Sequence, residues 1–289
     1  MALIALLIST TAFAVSAVDS DGQRVKLKAP ARRIVSLAPH ITEQLFAAGA
    51  GDKIVGASDY SDYPEEAKAL PRVASSGTVN LEAVLALKPD LVVAWRLEAT
   101  TAALKRLKSL GVPVFFDEPH RLAQIPVLIE ALGELAGTSA TAKPLARSLR
   151  EELARLETEY SSRRRVTVFY QISDKPLMTL GGSHFVSDAI KLCGGRNIFT
   201  GATVMAPVVN VESVIAADPE AILTARPDPG DQSWQAFWRR FPGLYAVETD
   251  NLYTVPTNEM HRHGPRAIYA ARTLCERIDE ARLKAASRR

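Results

Sequence analysis

The sequence predicts an α/β fold of two Rossmann-like lobes, each built on a central, mostly parallel sheet, joined by a single long helix. Three observations carry that expectation. Short β-branched runs alternate with capped helical segments along most of the chain. One charged segment with a narrow apolar stripe interrupts the alternation. A helix-turn-strand unit occurs twice, 130 residues apart.

Arg33-Ile34-Val35-Ser36-Leu37 reads as a buried strand entering a loop at Ala38-Pro39. Thr42 precedes Glu43 and the apolar series Leu45, Phe46 and Ala47, with Gly49 beyond, which predicts a helix capped by Thr and stopped by Gly. A second strand over 53–57 ends in Ser58-Asp59-Tyr60-Ser61-Asp62-Tyr63-Pro64, a polar and aromatic loop at a strand end, where open α/β sheets place their pockets. Asn80 caps a helix over 81–87, Lys88-Pro89-Asp90 turns the chain, and 91–95 is a continuous apolar strand. A helix over 99–110 closed by Gly111 and a strand over 112–116 follow, and such alternation implies a parallel sheet covered by helices. From Lys143 to Arg163, Leu145, Leu149, Leu153, Leu156 and Tyr160 form one narrow stripe among charges, with Pro144 expected at the first helical position. The α/β pattern then resumes with strands over 166–171, 221–224 and 252–255, a helix over 186–191 and a final helix over 265–283.

Residues 79–94 read VNLEAVLALKPDLVVA and residues 209–224 read VNVESVIAADPEAILT. Val, Asn, Glu, Val, Ala and Pro recur in register, so Asn80 and Asn210, and Glu82 and Glu212, are paired positions. A duplicated unit places one copy in each lobe. The expected division is an export signal over 1–17, an N-terminal lobe over 30–140, a linking helix over 141–163 and a C-terminal lobe over 164–289.

Residues 2–15 are nearly all apolar, and Ala12-Phe13-Ala14 and Val15-Ser16-Ala17 offer small-x-small cleavage patterns, which is why export is expected. No Cys follows them, so a lipid anchor is not. At 289 residues, 47 % hydrophobic and 23 % charged, the chain has the composition of a folded protein long enough for two cores. The net charge of +3 is small and no basic stripe is interleaved with aromatics, so no nucleic-acid partner is expected. Arg282, Lys284, Arg288 and Arg289 read as a solvated basic tail. The two cysteines, Cys193 and Cys275, fit either one disulfide in an exported chain or two buried thiols.

The stretches RIVSLAPHITEQLFAAGA, IVGASDYSDYP, VNLEAVLALKPDLVVAWR, LCGGRNIF and HGPR identify a family. Through them the chain resembles the periplasmic binding proteins that take up iron-siderophores, haem and cobalamin, its cobalamin-binding members above all. The resemblance implies the helical-backbone metal-chelate receptor type of fold, a location in the periplasm and a monomer. It implies a bulky metal-chelate ligand, cobalamin or a related corrinoid, caught between the lobes and passed to the membrane subunits of an ABC importer. A ferric siderophore or haem is the alternative ligand. It pairs Cys193 with Cys275 as a disulfide. It assigns Glu82 and Glu212 to importer docking, whereas either acid taken singly would be explained by compensation of a helix dipole.

By the same resemblance Pro39, Tyr60 and Trp95 lie on the ligand wall of the first lobe, where a flat macrocycle would stack. On the second lobe the ligand segment is Asn258, Met260, His261 and Arg262. Asn258 and Glu259 stand where the cobalamin binders carry Asp and Trp, and Ser76 and Ala206 replace two further tryptophans. His261 and His263 could reach the metal of a bound chelate or stand as polar groups at the rim; their spacing alone is a weak zinc signal. Arg96, Arg262 and Arg266 could meet the anionic oxygens of a siderophore. No enzyme is expected, and no catalytic residue, resident metal or cofactor. Gly181-Gly182-Ser183-His184 lacks the nucleophile elbow, and no phosphate-binding GxxxxGK[ST] loop is present.

Overall fold

The computed structural model describes residues 14–75, 77–96, 100–226 and 230–286. The repeated Pro-acid turn shows why these residues make sheets. In the first copy Asp90 accepts from the backbone N–H groups of Arg32 (2.8 Å) and Arg33 (3.0 Å), directly before the strand Ile34–Ser36. In the second, Glu220 accepts from the N–H of Thr167 (2.9 Å), at the start of Val166–Asp174. Lys88 and Asp218, each just ahead of the Pro, both adopt positive φ (45° and 38°), which turns the chain sharply from helix to strand. Each copy thus ties its own strand to the start of the neighbouring one through a carboxylate.

The helices of the two copies, Leu81–Ala86 and Val211–Ala217, begin alike. Asn80 Oδ1 accepts from Ala83 N–H at 3.0 Å and Asn210 Oδ1 from Ser213 N–H at 2.8 Å, each satisfying a donor that the helix leaves open.

The chain divides into two compact units. The first comprises residues up to Asp117 together with Glu130–Lys143, and the second Glu118–Ile129 together with Pro144 onward. The first holds a six-stranded sheet in the order Thr78–Val79, Arg72–Ser75, Ile54–Ser58, Ile34–Ser36, Leu91–Ala94, Val114–Phe116. All its neighbours run parallel except the edge strand Thr78–Val79. Val35, Val92, Leu104, Leu107 and Phe116 form its core with Val84 of the repeat helix. A hairpin of Val15–Val18 and Arg24–Leu27 belongs to the same unit; of the export signal expected over 1–17, residues 1–13 lie outside the described residues.

The second unit holds Leu177–Thr179, Val166–Asp174, Ala221–Arg226 and Leu252–Pro256 in that order, with Gly195–Asn197 parallel to the first half of the long strand. Trp234 and Trp238 are fully buried in its core with Phe169, Val214 and Ile222. Cys193 and Cys275 are bonded, joining the end of the helix Phe185–Leu192 to the helix Pro265–Ala286. No helix among the described residues is long and apolar enough to cross a membrane.

Three expectations are corrected here. Thr42 does not cap a helix: the helix is Pro39–Ala47, with Ala38 extended at the cap and Pro39 in the first turn, where a missing N–H costs nothing. Pro144 does not start the long helix, which spans Ser139–Tyr160. Gly137 ends the preceding helix Gln124–Ala136 at a φ of 68°, and helix resumes so promptly that Pro144 falls inside it. Arg282 is not in a solvated tail. It is only 7 % exposed and donates to the carbonyls of Arg164 (2.7 Å) and Cys193 (2.9 Å), while Lys284 reaches those of Thr249 and Asp250. Arg288 and Arg289 lie outside the described residues.

Candidate ligand-binding site

In the first unit the strands Ile34–Ser36, Ile54–Ser58 and Leu91–Ala94 all end at one cavity of about 230 Å3. Pro39, Tyr60 and Trp95 line it together, with Ser58, Val79 and Thr100 among its other walls. Carboxyl ends of parallel strands are where such sheets leave room for a ligand, because the strand-to-helix loops diverge there. Tyr60 is 73 % exposed, an unusual state for a ring of that size.

Tyr60 is held out by its own backbone, at a φ of 61°, within a turn closed by Ser61 N–H to Ser58 O and Asp62 N–H to Tyr60 O. A chain of buried hydroxyls fixes that turn to the first helix. Ser36 Oγ and Thr42 Oγ1 are 2.7 Å apart, Thr42 Oγ1 bonds Ser61 Oγ at 2.9 Å, and Ser61 Oγ lies 3.2 Å from Ser58 Oγ. This is the role of Thr42: it sits within the helix and carries a side-chain bond to the aromatic loop. Arg72 clamps the same loop from the other side, donating to the carbonyls of Ser58, Ser61 and Ala67.

Trp95 is backed by His40, whose ring meets it edge-on at 5.7 Å between centroids. His40 Nε2 lies 3.3 Å from the carbonyl oxygen of Asp117 and 3.8 Å from its Oδ1. Asp117 is fully buried and accepts from Gln44 Nε2 at 2.9 Å, while its Oδ2 has no partner among the described residues. Burial pushes its carboxyl up to about 7, and the Gln44 hydrogen bond, which favours the charged form, opposes that only in part.

In the second unit the short helix Thr257–Met260 carries the expected ligand segment. Asn258 is exposed and Arg262 half-buried. Met260 is a correction: it is fully buried, so its side chain supports the segment from within rather than presenting a surface. His261 Nε2 lies 3.4 Å from the hydroxyl of Tyr170, and burial holds its imidazole below the ordinary histidine range. His263 packs on Phe185, with ring centroids 4.5 Å apart, and lies near His184.

His184 was missed as a structural residue. Its Nδ1 accepts from Val186 N–H at 3.1 Å and caps Phe185–Leu192. Burial first, then the neighbouring His261 and His120, lower it to about 4, in keeping with the neutral imidazole that an acceptor nitrogen requires. No group of three or more His, Cys, Asp or Glu side chains suited to a metal ion occurs among the described residues.

The arginines considered for anionic ligands differ. Arg96 pairs with Asp21, and Arg266 with Glu259 at 3.4 Å. Glu82 and Glu212 are exposed in the first turns of their helices. Ala206 is half-buried, and Ser76 lies outside the described residues.

Comparison with known proteins gives a consistent result. The sequence profile described as "Periplasmic binding protein" matches residues 34–259. A vitamin B12-binding protein of Vibrio parahaemolyticus is 35 % identical over 255 residues, covering 88 % of this chain and 92 % of that one. One of Vibrio cholerae is 38 % identical over 250 residues, covering 85 % and 88 %. The crystal structure of a periplasmic vitamin B12 binding protein of Vibrio cholerae superposes with a TM-score of 0.81 at 37 % identity, covering 88 % of this chain and 98 % of that one. A periplasmic heme-binding protein of Roseiflexus, at 24 % identity and a TM-score of 0.72, shares the fold. Profile, relatives and architecture agree: this chain belongs to the periplasmic binding protein family.

Proposed function

We propose that this protein is the periplasmic solute-binding component of an ABC importer, that it captures cobalamin or a related corrinoid, and that it delivers the ligand to the membrane subunits. The observation that carries the reading is the convergence of Pro39, Tyr60 and Trp95 on one cavity at the strand ends of the first unit. An exposed ring held out on a fixed turn beside a second, half-buried ring suits a flat, mostly apolar macrocycle. Relatives that bind vitamin B12 are aligned over nearly their whole length, which supports the same ligand class here.

Asn258, His261 and Arg262 are the proposed contacts of the second lobe, with His261 a neutral hydrogen-bonding group. Glu82 and Glu212 are the proposed docking acids, exposed and placed alike by the repeat. Lobes over 30–140 and 164–289 linked by the helix Ser139–Tyr160, an export signal that ends ahead of the strand Val15–Val18 and a monomeric state complete the reading. Binding and release, without chemistry, is its whole activity.

A haem or ferric siderophore is the second reading, favoured by Ala206 and Glu259 standing where cobalamin binders carry rings. The pairing of Arg96 and Arg266 with acids of this chain counts against a polyanionic siderophore. The test is a titration with cyanocobalamin. Of the three tryptophans, Trp234 and Trp238 are at most 1 % exposed, so a saturable fluorescence change reports on Trp95. One-to-one binding weakened about tenfold or more by Trp95→Ala or Arg262→Ala supports the corrinoid carrier. No heat and no fluorescence change, with haem binding instead, moves the assignment to the second reading.

A further inference from the structure

A second cavity of about 610 Å3 lies within the second unit and shares no lining residue with the sites described above. Its charged walls are Arg121, Arg165, Lys191, Arg196 and one carboxylate, Asp188. All four cations are exposed, and none makes a side-chain hydrogen bond or ion pair to another described residue. In the run Arg163-Arg164-Arg165, the first pairs with Asp279 and the second with Glu220 (2.6 Å), and only the third faces the cavity without a partner. Arg226 and Arg282 are neutralised in the same way, by Asp174 with Asp231 and by Asp279.

The floor is closely packed and hydrogen-bonded within itself. Asn197, buried, donates to Leu180 O (2.6 Å) and to Ser187 Oγ (2.8 Å), and Ser187 donates to Gly181 O (2.8 Å). Gly182 lies so close to the Thr200 backbone that a Cβ there would meet its carbonyl oxygen at 2.3 Å. The helix bearing Asp188 and Lys191 is fixed at its end by the Cys193–Cys275 bond. Asp188 Oδ2 is already engaged by Leu122 N–H at 3.0 Å. Four cations without ion-pair partners outnumber the one carboxylate among them, which leaves a concave region of net positive potential.

We infer that this cavity is a binding site for a compact, multivalent phosphate-bearing anion, either a soluble oligophosphate or the phosphate of a lipid headgroup. Three guanidinium groups offer paired N–H donors that match phosphate oxygens two at a time, and the lysine adds a point charge. A monovalent anion would leave most of this charge uncompensated, so affinity should rise with ligand valence.

The full chain is titrated calorimetrically with tripolyphosphate and with sulfate, at about 0.05 M and about 0.15 M sodium chloride, and tested for retention on phosphatidylglycerol vesicles. One saturable tripolyphosphate site is expected, at least about tenfold tighter than for sulfate and persisting at the higher salt. Arg165→Gln/Lys191→Gln/Arg196→Gln should weaken it about tenfold or more with an unchanged melting midpoint, since these side chains are exposed. Asp188→Asn keeps an acceptor for Leu122 N–H and should tighten binding. Vesicle retention abolished by the triple substitution assigns the phosphate to a headgroup, and tripolyphosphate binding without retention assigns it to a soluble anion. Equal tripolyphosphate affinity in the wild type and the triple variant, absence of binding in both arms, or binding that Asp188→Asn weakens would overturn the inference.

Discussion

Replacing Asp117 by Asn should remove a pH-dependent loss of stability, and its size follows from the burial of that carboxyl. The group lies behind Trp95, reached by Gln44 and His40, and its folded-state value is about 7 against 3.8 for an ordinary Asp. Below 3.8 both folded and unfolded chains hold the proton, and the neutral carboxyl's contribution is fully present. Between 3.8 and about 7 the unfolded chain releases the proton while the folded one keeps it, so stability falls as pH rises. Above about 7 the loss is complete. At 1.36 kcal/mol per pH unit, the interval from pH 5 to pH 7 removes about 3 kcal/mol, an upper figure because relaxation and water penetration reduce it. Asn carries no proton to release in this range. Urea unfolding of wild type and Asp117→Asn at about pH 5 and about pH 8 measures the effect. The wild type should lose on the order of 3 kcal/mol more than the variant between the two conditions. Parallel stabilities across that range would refute a raised carboxyl at this position.

Two further outcomes test the frame that holds the site. Cys193→Ser/Cys275→Ser opens a link between residues 82 apart, and chain entropy alone predicts a loss of about 4.5 kcal/mol, read as a lower urea midpoint with binding retained where the protein remains folded. Asn80→Ala and Asn210→Ala each remove one N-cap and should cost about 1 kcal/mol apiece, additively because the caps belong to different units; a strongly non-additive double variant would contradict two independently built sheets.

The alternation of strands and helices was legible because each strand is short, β-branched and bounded by Gly, Pro or a capping residue. The repeat was legible for a stronger reason: its Asn and its acid each perform a backbone task that few residue types can do. The errors cluster where tertiary contacts decide. Thr42 has the chemistry of a cap, but Pro39 can start the helix earlier, which frees the hydroxyl to fix the Tyr60 loop. Pro144 has the profile of a helix start, but it lies inside a helix already under way. Arg282 looks like part of a solvated tail until Arg164 and Cys193 present carbonyls to it. Lys191, Arg165 and Arg196 are unremarkable in sequence, since nothing local reveals which arginines will find an acid and which will not.

The carboxylate turns also account for a division of labour within each sheet. Asp90 and Glu220 tie the strands together at their amino ends, where the hydrogen bonds to Arg32, Arg33 and Thr167 set register. The cavity lined by Pro39, Tyr60 and Trp95 lies at the opposite, carboxyl ends, and these three residues stand outside the strand pairing. Changes at exposed loop side chains such as Tyr60 then leave the strand pairing intact, whereas the buried Ser58 and Ser61 beside it are tied to the first helix. Ala206 and Glu259 can vary without disturbing either sheet, because neither takes part in a strand. The same architecture occurs in proteins described as binding vitamin B12 and as binding heme. It follows that overall similarity bears on the frame, whereas the proposed contacts Tyr60, Trp95 and Arg262 all lie on loops outside the strands.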